Sequence, residues 1–141
     1  AMVAQRTEDY KSGFYKSGGG VVSPLPDDAP QFVKDYYAYY KTPRGYHKRS
    51  LNSNNGWNVT SNLPFLNFKF FDYADELESA VMIVHGDKAH SFYFGKDTYA
   101  LLKGDNKEFV VVAGANHTDL YDGLSVIPFN KIESFFNENL K

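Results

Sequence analysis

Two short, continuously apolar runs constrain the fold of this chain more than any other feature of its sequence. Residues 80–84 and 109–113 contain β-branched side chains without polar alternation, which predicts strands covered on both faces. Residues 96–103, between them, have a helical composition, and we expect Gly104 to cap the end of that helix. Strands separated by such a helix pair in parallel through a right-handed crossover. The sequence therefore predicts a strand, a helix and a strand of a parallel α/β sheet.

The C-terminal segment adds a second helix to this pattern. Residues 128–140 begin with a proline near the first helical turn and carry apolar side chains at helical spacing, among them Phe135 and Phe136. The order strand, helix, strand, helix defines a predicted C-terminal part at residues 74–141. Because two strands do not form a sheet that is stable alone, we expect the open sheet edge to pair with further polypeptide or with a second copy of the chain.

Residues 1–73 differ in composition and form a separate, helical and loop-rich part of the prediction. Their apolar side chains are mostly aromatic and are interrupted by prolines and by glycine and asparagine runs, which predicts short helices and long loops. Residues 30–41 follow Asp27 and Asp28, which can cap a helix, and end before the Thr42–Pro43 step. One face of that predicted helix is aromatic and comprises Phe32, Tyr36, Tyr39 and Tyr40. This face is either a packing surface or the wall of a substrate pocket.

Composition excludes several classes of function. With 141 residues the chain is long enough for one ordinary globular domain, and its formal charge of -2 leaves no excess of cations for a phosphate backbone, so we expect no nucleic-acid partner. The absence of cysteine excludes disulfides, thiolate metal sites and a cysteine nucleophile. The longest apolar run is far shorter than the roughly 20 residues that span a bilayer. Since the N-terminus also has no secretion signal pattern, we expect no membrane partner and a cytoplasmic location.

The residues best suited to chemistry follow the two predicted strands. Residues 85–91 read His-Gly-Asp-Lys-Ala-His-Ser, and residues 114–122 read Gly-Ala-Asn-His-Thr-Asp-Leu-Tyr-Asp. In open α/β sheets, ligands bind outside the carboxyl ends of the strands, so these two loops form the candidate site. An imidazole after one strand and a carboxylate after its neighbour can form the hydrogen bond that orients a catalytic histidine.

The second of these loops is the most specific part of a wider likeness. It belongs to a matching stretch at residues 107–122, which begins with Lys-Glu and a strand. Together with residues 81–91 and Phe94 (strand, His-Gly, then Ala-His-Ser and Tyr-Phe) and residues 127–140 (Ile-Pro-Phe-x-Lys-Ile-x-x-Phe-Phe), this stretch resembles the C-terminal half of an α/β-hydrolase, of the bacterial and fungal branch related to dienelactone hydrolases and polyketide transferases. The likeness covers most of the chain from about residue 32 onward. It implies the C-terminal part of a parallel α/β-hydrolase sheet, with two buried strands and flanking helices, preceded by a helical, aromatic-rich, cap-like segment.

The resemblance implies that His117 is the general base of a triad of nucleophile, acid and histidine. The acid of this superfamily usually follows as His-Gly-x-x-Asp, but the fifth position here is Ala89. In the related Gly-x-x-Ala-Asp version the aspartate position is His90, which cannot serve as an anionic partner. Asp87, in the same turn, is therefore the first candidate for the acid. The alternatives, both close to His117 in sequence, are Asp119 and Asp122.

The nucleophile that this resemblance requires is not found in the sequence. A hydrolase of this fold presents its serine in a Gly-x-Ser-x-Gly turn, and no such pentapeptide occurs in the 141 residues. Ser125 shares only part of the pattern and follows the histidine, contrary to the chain order of the fold, and Ser91 lacks the strand-to-helix elbow. We therefore expect the nucleophile to come from a missing N-terminal half. The chain alone should not cleave the ester, thioester or related acyl bond of a small-molecule substrate.

Three further expectations concern binding. No zinc-type histidine spacing, Walker sequence or dinucleotide glycine fingerprint occurs, so we expect neither a metal nor another cofactor. In the hydrolase interpretation, residues 5–73 are a cap-like insert whose aromatic side chains shape an apolar pocket. The alternative is a noncatalytic binding or interaction module, in which exposed tyrosines and Trp57 stack on sugars or on a protein partner.

Overall fold

The chain forms two compact units, Ala1–Lys69 and Phe70–Lys141, and the division falls a few residues before Tyr73. They are seen in a computed structural model that describes residues 1–140; Lys141, the last residue of the predicted C-terminal part, lies outside the described residues. Both units mix helices and strands, with an antiparallel strand pair in the first unit and a parallel pair in the second. Among residues 1–140, no helix combines the length and the apolar character that crossing a membrane requires.

The first unit contains a strand pair that its sequence did not predict. Its elements in chain order are α1 (Met2–Ser12), β1 (Ser17–Gly19), α2 (Gln31–Tyr40), β2 (Trp57–Asn58) and α3 (Asn62–Asn67). β1 and β2 are antiparallel, with Gly19 opposite Trp57. A Cβ atom at Gly56 would lie 1.8 Å from the carbonyl oxygen of Gly19, so the two backbones touch where only glycine fits. The expectation of helices and loops alone was wrong here because β1 is Ser-Gly-Gly and β2 has only two residues, so neither contains a run of β-branched or aromatic side chains.

α2 lies where the aromatic stripe predicted a helix, but its N-terminus is not built as expected. The residue at the cap position is Pro30, and no side chain caps the helix, so the expected capping by Asp27 and Asp28 was wrong. The fixed φ of proline suits the helix entrance without a capping side chain. Within the stripe, the rings of Tyr36 and Tyr40 stack with their centroids 6.1 Å apart.

The second unit holds the predicted order of strand, helix, strand and helix. After a short 3-10 helix (Ala74–Glu76), its elements are β3 (Val81–Gly86), α4 (Phe92–Leu101), β4 (Lys107–Val112), α5 (Asp119–Asp122) and α6 (Phe129–Asn139). The parallel pairing of β3 and β4 is confirmed, in a register that runs from Val81 opposite Lys107 to Gly86 opposite Val112. The carboxyl ends of both strands therefore lie side by side at one edge.

α4 begins earlier than its composition indicated, and Gly104 does not cap it. The helix starts at Phe92, and the residue after its end, Leu102, is extended. Tertiary packing explains the early start, because the ring of Phe92 stacks on that of Phe109 in β4 at a centroid distance of 5.9 Å. A Cβ atom at Gly95 would lie 3.0 Å from the His85 ring, so this glycine lets the helix approach the sheet closely.

The two strands are less buried than their apolar runs predicted. Val81–Gly86 is half-buried along most of its length, and in β4 Val110 is buried whereas Val111 is 47% exposed. Five hydrophobic side chains of the described residues are buried, namely Ala29, Ala89, Val110, Ala115 and Phe135. The expectation of two strands covered on both faces was wrong for the described residues.

Lys107 fixes the start of β4 against the segment that enters β3. Its side chain is buried, and Nζ donates hydrogen bonds to the carbonyl oxygens of Leu77, at 2.8 Å, and of Ser79. The neighbouring Asn106 side chain donates to the carbonyl oxygen of Glu78 at 2.9 Å. These bonds hold β3 and β4 together at their amino ends, and so help to fix the register along the whole pair.

Candidate functional site

The site is built where β3 and β4 end together. A Cβ atom at Gly86 would lie 2.2 Å from the carbonyl oxygen of Ala115, so only glycine allows the two loops to approach this closely. The backbone N–H of Lys88 donates to that same Ala115 oxygen at 3.0 Å. The Asp87 side chain adds a third link, since its Oδ1 accepts the backbone N–H of Gly114 at 2.8 Å. The two loops therefore form one connected structure.

His117 lies on a loop that two flanking side chains hold by reciprocal hydrogen bonds. Oδ1 of Asn116 accepts the backbone N–H groups of Thr118, at 2.9 Å, and of Asp119, at 3.0 Å, and also the Thr118 hydroxyl at 3.0 Å. In return, Oδ2 of Asp119 accepts the backbone N–H of Asn116 at 2.9 Å. Thr118 is fully buried. This exchange resembles a capping box and fixes the backbone on both sides of His117.

The half-buried His117 ring meets polar and aromatic groups from three elements. Its Nδ1 lies 3.2 Å from Oγ of Ser91, the residue directly before α4. The ring of Tyr121 in α5 meets it edge to face at a centroid distance of 5.3 Å. The rings of His90 and His85 lie at centroid distances of 6.0 and 6.5 Å. His117 thus occupies the centre of a cluster of three imidazoles.

This surrounding lowers the pKa of His117 below its ordinary value of 6.5. Burial is the largest cause, because it disfavours the charged ring, and the like charges of His90 and then His85 add to it. The lowered pKa favours the neutral form of the imidazole. A neutral ring has one nitrogen lone pair and can accept a proton, as a general base must.

The structure brings some of the sequence-predicted residues together. His117 and Asp87 lie at the same sheet edge. Asp87 accepts the backbone N–H of Gly114 in the neighbouring loop, whereas Asp119 accepts that of Asn116 in its own loop. Asp122 is exposed at the end of α5. Sequence reasoning missed the role of Asn116, although the Asn-x-x-Asp spacing is a recognisable reciprocal-capping signal. It also missed the contact between Ser91 and His117, for which the sequence holds no local signal.

Among residues 1–140, no group of three or more histidine or acidic side chains is arranged to hold a metal ion. This includes the cluster of His85, His90 and His117, whose rings pack against one another and against aromatic neighbours.

Comparison with known proteins finds relatives whose function has not been characterised. No protein-family profile matches the chain. It is 46% identical over 111 residues to the uncharacterised protein PA2218 of Pseudomonas aeruginosa, an alignment that covers 78% of this chain and 30% of that protein. It is 29% identical to the uncharacterised protein YcjY of Escherichia coli, over 96% of this chain and 44% of that protein. The chain thus spans less than half the length of both relatives.

The fold is shared with a solved structure. The crystal structure of hypothetical protein PA2218 superposes on 99% of this chain with a TM-score of 0.90 and 40% sequence identity. The matched region is 43% of the solved chain. The mixed α/β architecture described above is therefore that of part of a longer known structure.

Proposed function

We propose that this chain is the C-terminal part of a serine-type α/β-hydrolase that cleaves ester, thioester or related acyl bonds in small molecules. The observation that carries the proposal is the position of His117, whose half-buried ring lies at the shared carboxyl edge of two parallel strands. Ligand sites of open α/β sheets lie at this edge. The likeness of residues 81–94, 114–122 and 127–140 to α/β-hydrolases supports the same assignment.

In this proposal His117 accepts the proton of a serine hydroxyl as that oxygen attacks the substrate carbonyl, and later returns it to the leaving group. The serine and the backbone groups that stabilise the oxyanion come from polypeptide outside these residues. The same polypeptide adds parallel strands to β3 and β4 and so completes a hydrolase-like sheet. The greater length of the relatives and the exposed apolar surface of the second unit agree with this arrangement.

Asp87 remains our first candidate for the acid that stabilises the charged ring. Its carboxylate is anchored at the same edge through the Gly114 backbone N–H. Asp119 and Asp122 are the alternatives, and the Asp119 carboxylate already accepts a hydrogen bond from the backbone N–H of Asn116. To identify the acid, each aspartate is replaced with asparagine, which keeps the shape of the side chain and removes its charge. Loss of a triad acid in this way lowers kcat about 10⁴-fold.

The test uses the full-length gene product that contains these residues. Hydrolysis of p-nitrophenyl esters and of an acyl thioester is measured for the natural protein and for His117→Gln. We expect the variant to lose at least about 10³-fold in kcat, whereas His47→Gln, in the first unit, changes kcat little. Full activity of His117→Gln, or the absence both of hydrolysis and of labelling by a fluorophosphonate serine probe in the natural protein, would refute the proposal.

The noncatalytic alternative has its own support in the first unit. Tyr10 is 89% exposed, Tyr15 is 73% exposed and Trp57 is 47% exposed, which suits stacking on a ligand. Because Trp57 is the single tryptophan of the chain, its fluorescence reports such binding directly. Saturable quenching by oligosaccharides, together with an inactive full-length protein, would favour this alternative over the hydrolase.

A further inference from the structure

The first unit contains a buried carboxylate with one unpartnered oxygen. Asp9 lies in α1 and is only 5% exposed. Its Oδ1 accepts the side-chain N–H of Gln5 at 2.8 Å and the backbone N–H of Lys16 at 3.2 Å. Its Oδ2 is also buried and has no hydrogen-bond partner among residues 1–140. Two bonds therefore fix the carboxylate, and one of its oxygens keeps its full capacity to accept.

An oxygen of this kind indicates a bound partner. Nearly all buried polar groups in folded proteins form hydrogen bonds, because an unpaired one has lost its water without replacement. The penalty is larger for a charged group than for a neutral one. Within the described part of the chain, no other buried side-chain nitrogen or oxygen lacks a partner. Oδ2 of Asp9 thus requires a donor that residues 1–140 do not supply.

Asp9 borders a cavity of about 280 Å³ that lies wholly in the first unit. The other lining residues are Arg6, Tyr10, Gly13 and Tyr15. A Cβ atom at Gly13 would meet nothing within 4 Å, so this side of the cavity is open. Sites for small molecules begin at about 300 Å³, so a cavity of this size suits a ligand with few heavy atoms.

α1 places a positive charge on the same side as this acid. Arg6 precedes Asp9 by three positions, so the two side chains share one face of the helix. No ion pair joins these two described residues. A guanidinium binds a carboxylate through two parallel N–H bonds, and an ammonium group donates charge-assisted hydrogen bonds to a carboxylate. The cavity therefore presents an acceptor for an ammonium group together with a donor for a carboxylate.

The two tyrosines supply the apolar part of the wall. The face of a tyrosine ring attracts a cation and covers apolar groups. Tyr10 and Tyr15 are both largely exposed. The rings can therefore move apart and admit a ligand to Oδ2 of Asp9 without disturbing a packed core.

We propose that this cavity is a binding site for a free α-amino acid with an apolar side chain. The ammonium group donates to Oδ2 of Asp9, the carboxylate accepts from Arg6, and the apolar side chain lies against the tyrosine rings. The site belongs to the first unit alone, so it does not depend on His117 or on the proposed hydrolase function.

The test titrates the ¹⁵N-labelled chain with three related compounds. L-Phenylalanine carries both charged groups, 3-phenylpropionate lacks the ammonium group, and 2-phenylethylamine lacks the carboxylate. We expect L-phenylalanine to shift the backbone NMR signals of Gly13 and Lys16 saturably. Each of the other two compounds should bind about tenfold more weakly, as the loss of one hydrogen bond to a charged group implies.

Two variants assign the charged groups. Asp9→Asn keeps the shape and an acceptor oxygen for the Lys16 backbone, and it should weaken L-phenylalanine and 2-phenylethylamine about tenfold but leave 3-phenylpropionate unchanged. Arg6→Gln should weaken L-phenylalanine and 3-phenylpropionate and spare 2-phenylethylamine. Asp28→Asn and Arg49→Gln, at exposed positions of the same unit, should change none of the three affinities.

Three results overturn the inference. The first is no saturable shift with L-phenylalanine up to about 10 mM. The second is equal affinity for 3-phenylpropionate, which would mean that Asp9 receives no ammonium group. The third is binding by the chain that the full-length gene product does not show, because the remaining polypeptide would then cover the cavity. The first two need no variant, so they decide the matter even if Asp9→Asn fails to fold. None of these measurements involves hydrolysis, so this inference and the hydrolase proposal fail separately.

Discussion

Asn116→Ala should destabilise the second unit more than any other single loss of a polar side chain in the loop around His117. The substitution removes the one oxygen that accepts three hydrogen bonds, from two backbone N–H groups and from the Thr118 hydroxyl. Because Thr118 is fully buried, its hydroxyl loses that partner away from bulk solvent. The loss therefore includes a desolvation cost as well as the bonds themselves.

The magnitude follows from the three bonds. A typical net contribution is about 1 kcal/mol for each, and neighbouring bonds to one atom do not add fully, so we expect the free energy of unfolding to fall by about 2–3 kcal/mol. Asn116→Asp keeps an acceptor oxygen in the same place and should lose much less. Asn137→Ala, an exposed position in α6, should stay within about 0.5 kcal/mol of the natural chain.

The assay is urea unfolding followed by far-ultraviolet circular dichroism, with the free energy extrapolated to water. Trp57 fluorescence, recorded in parallel, reports the unfolding of the first unit. A loss below about 0.5 kcal/mol in Asn116→Ala, or an equal loss in Asn137→Ala, would show that the reciprocal bonds do not hold the loop. The role given to this loop in positioning His117 would then be wrong.

Three further predictions test other parts of the second unit. The pKa of His117 in the folded chain lies below 6.5, so the unfolded chain binds more protons, and the free energy of unfolding should fall as the pH drops below about 6.5. Urea unfolding at several pH values measures this dependence. His117→Gln should flatten it. Gly86→Ala would place a methyl group 2.2 Å from the Ala115 carbonyl oxygen and should cost about 1–3 kcal/mol of unfolding free energy, so an unchanged urea midpoint would contradict the close approach of the loops. Lys107→Met should cost about 1–3 kcal/mol because two carbonyl oxygens lose their donor, whereas the exposed Lys131→Met should have no measurable effect in the same assay.

The strands and the last helix were predictable because their signals are local. Residues 81–84 of the first apolar run lie in β3, and the periodic apolar positions Ile132, Phe135 and Phe136 lie in α6. The start of α4 was not predictable in the same way, because the stacking of Phe92 on Phe109 is a tertiary contact between residues far apart in sequence. β1 was missed since a Ser-Gly-Gly strand has no side chains that favour a strand.

In the candidate site too, features with a local sequence signal were predictable and features set by tertiary contacts were not. The position of His117 followed from the rule that functional loops lie after parallel strands. The reciprocal bonds of Asn116 and Asp119 could have been predicted from their spacing, since they are local. The contact of Ser91 with Nδ1 could not, because it depends on where α4 begins and on how two loops meet. Distances of this kind are set by packing and have no counterpart in a short sequence pattern.

The pKa of His117 offers a direct test of whether the acid of the proposed triad is engaged. In this chain burial and the charges of His90 and His85 lower that pKa. A carboxylate bonded to the ring would favour the imidazolium and raise the pKa. We therefore expect NMR titration of the full-length gene product to give a lower His117 pKa in the Asp87→Asn variant than in the natural protein. An equal pKa in both would mean that Asp87 does not join the ring, and the acid of the proposed triad would then have to be Asp119 or Asp122.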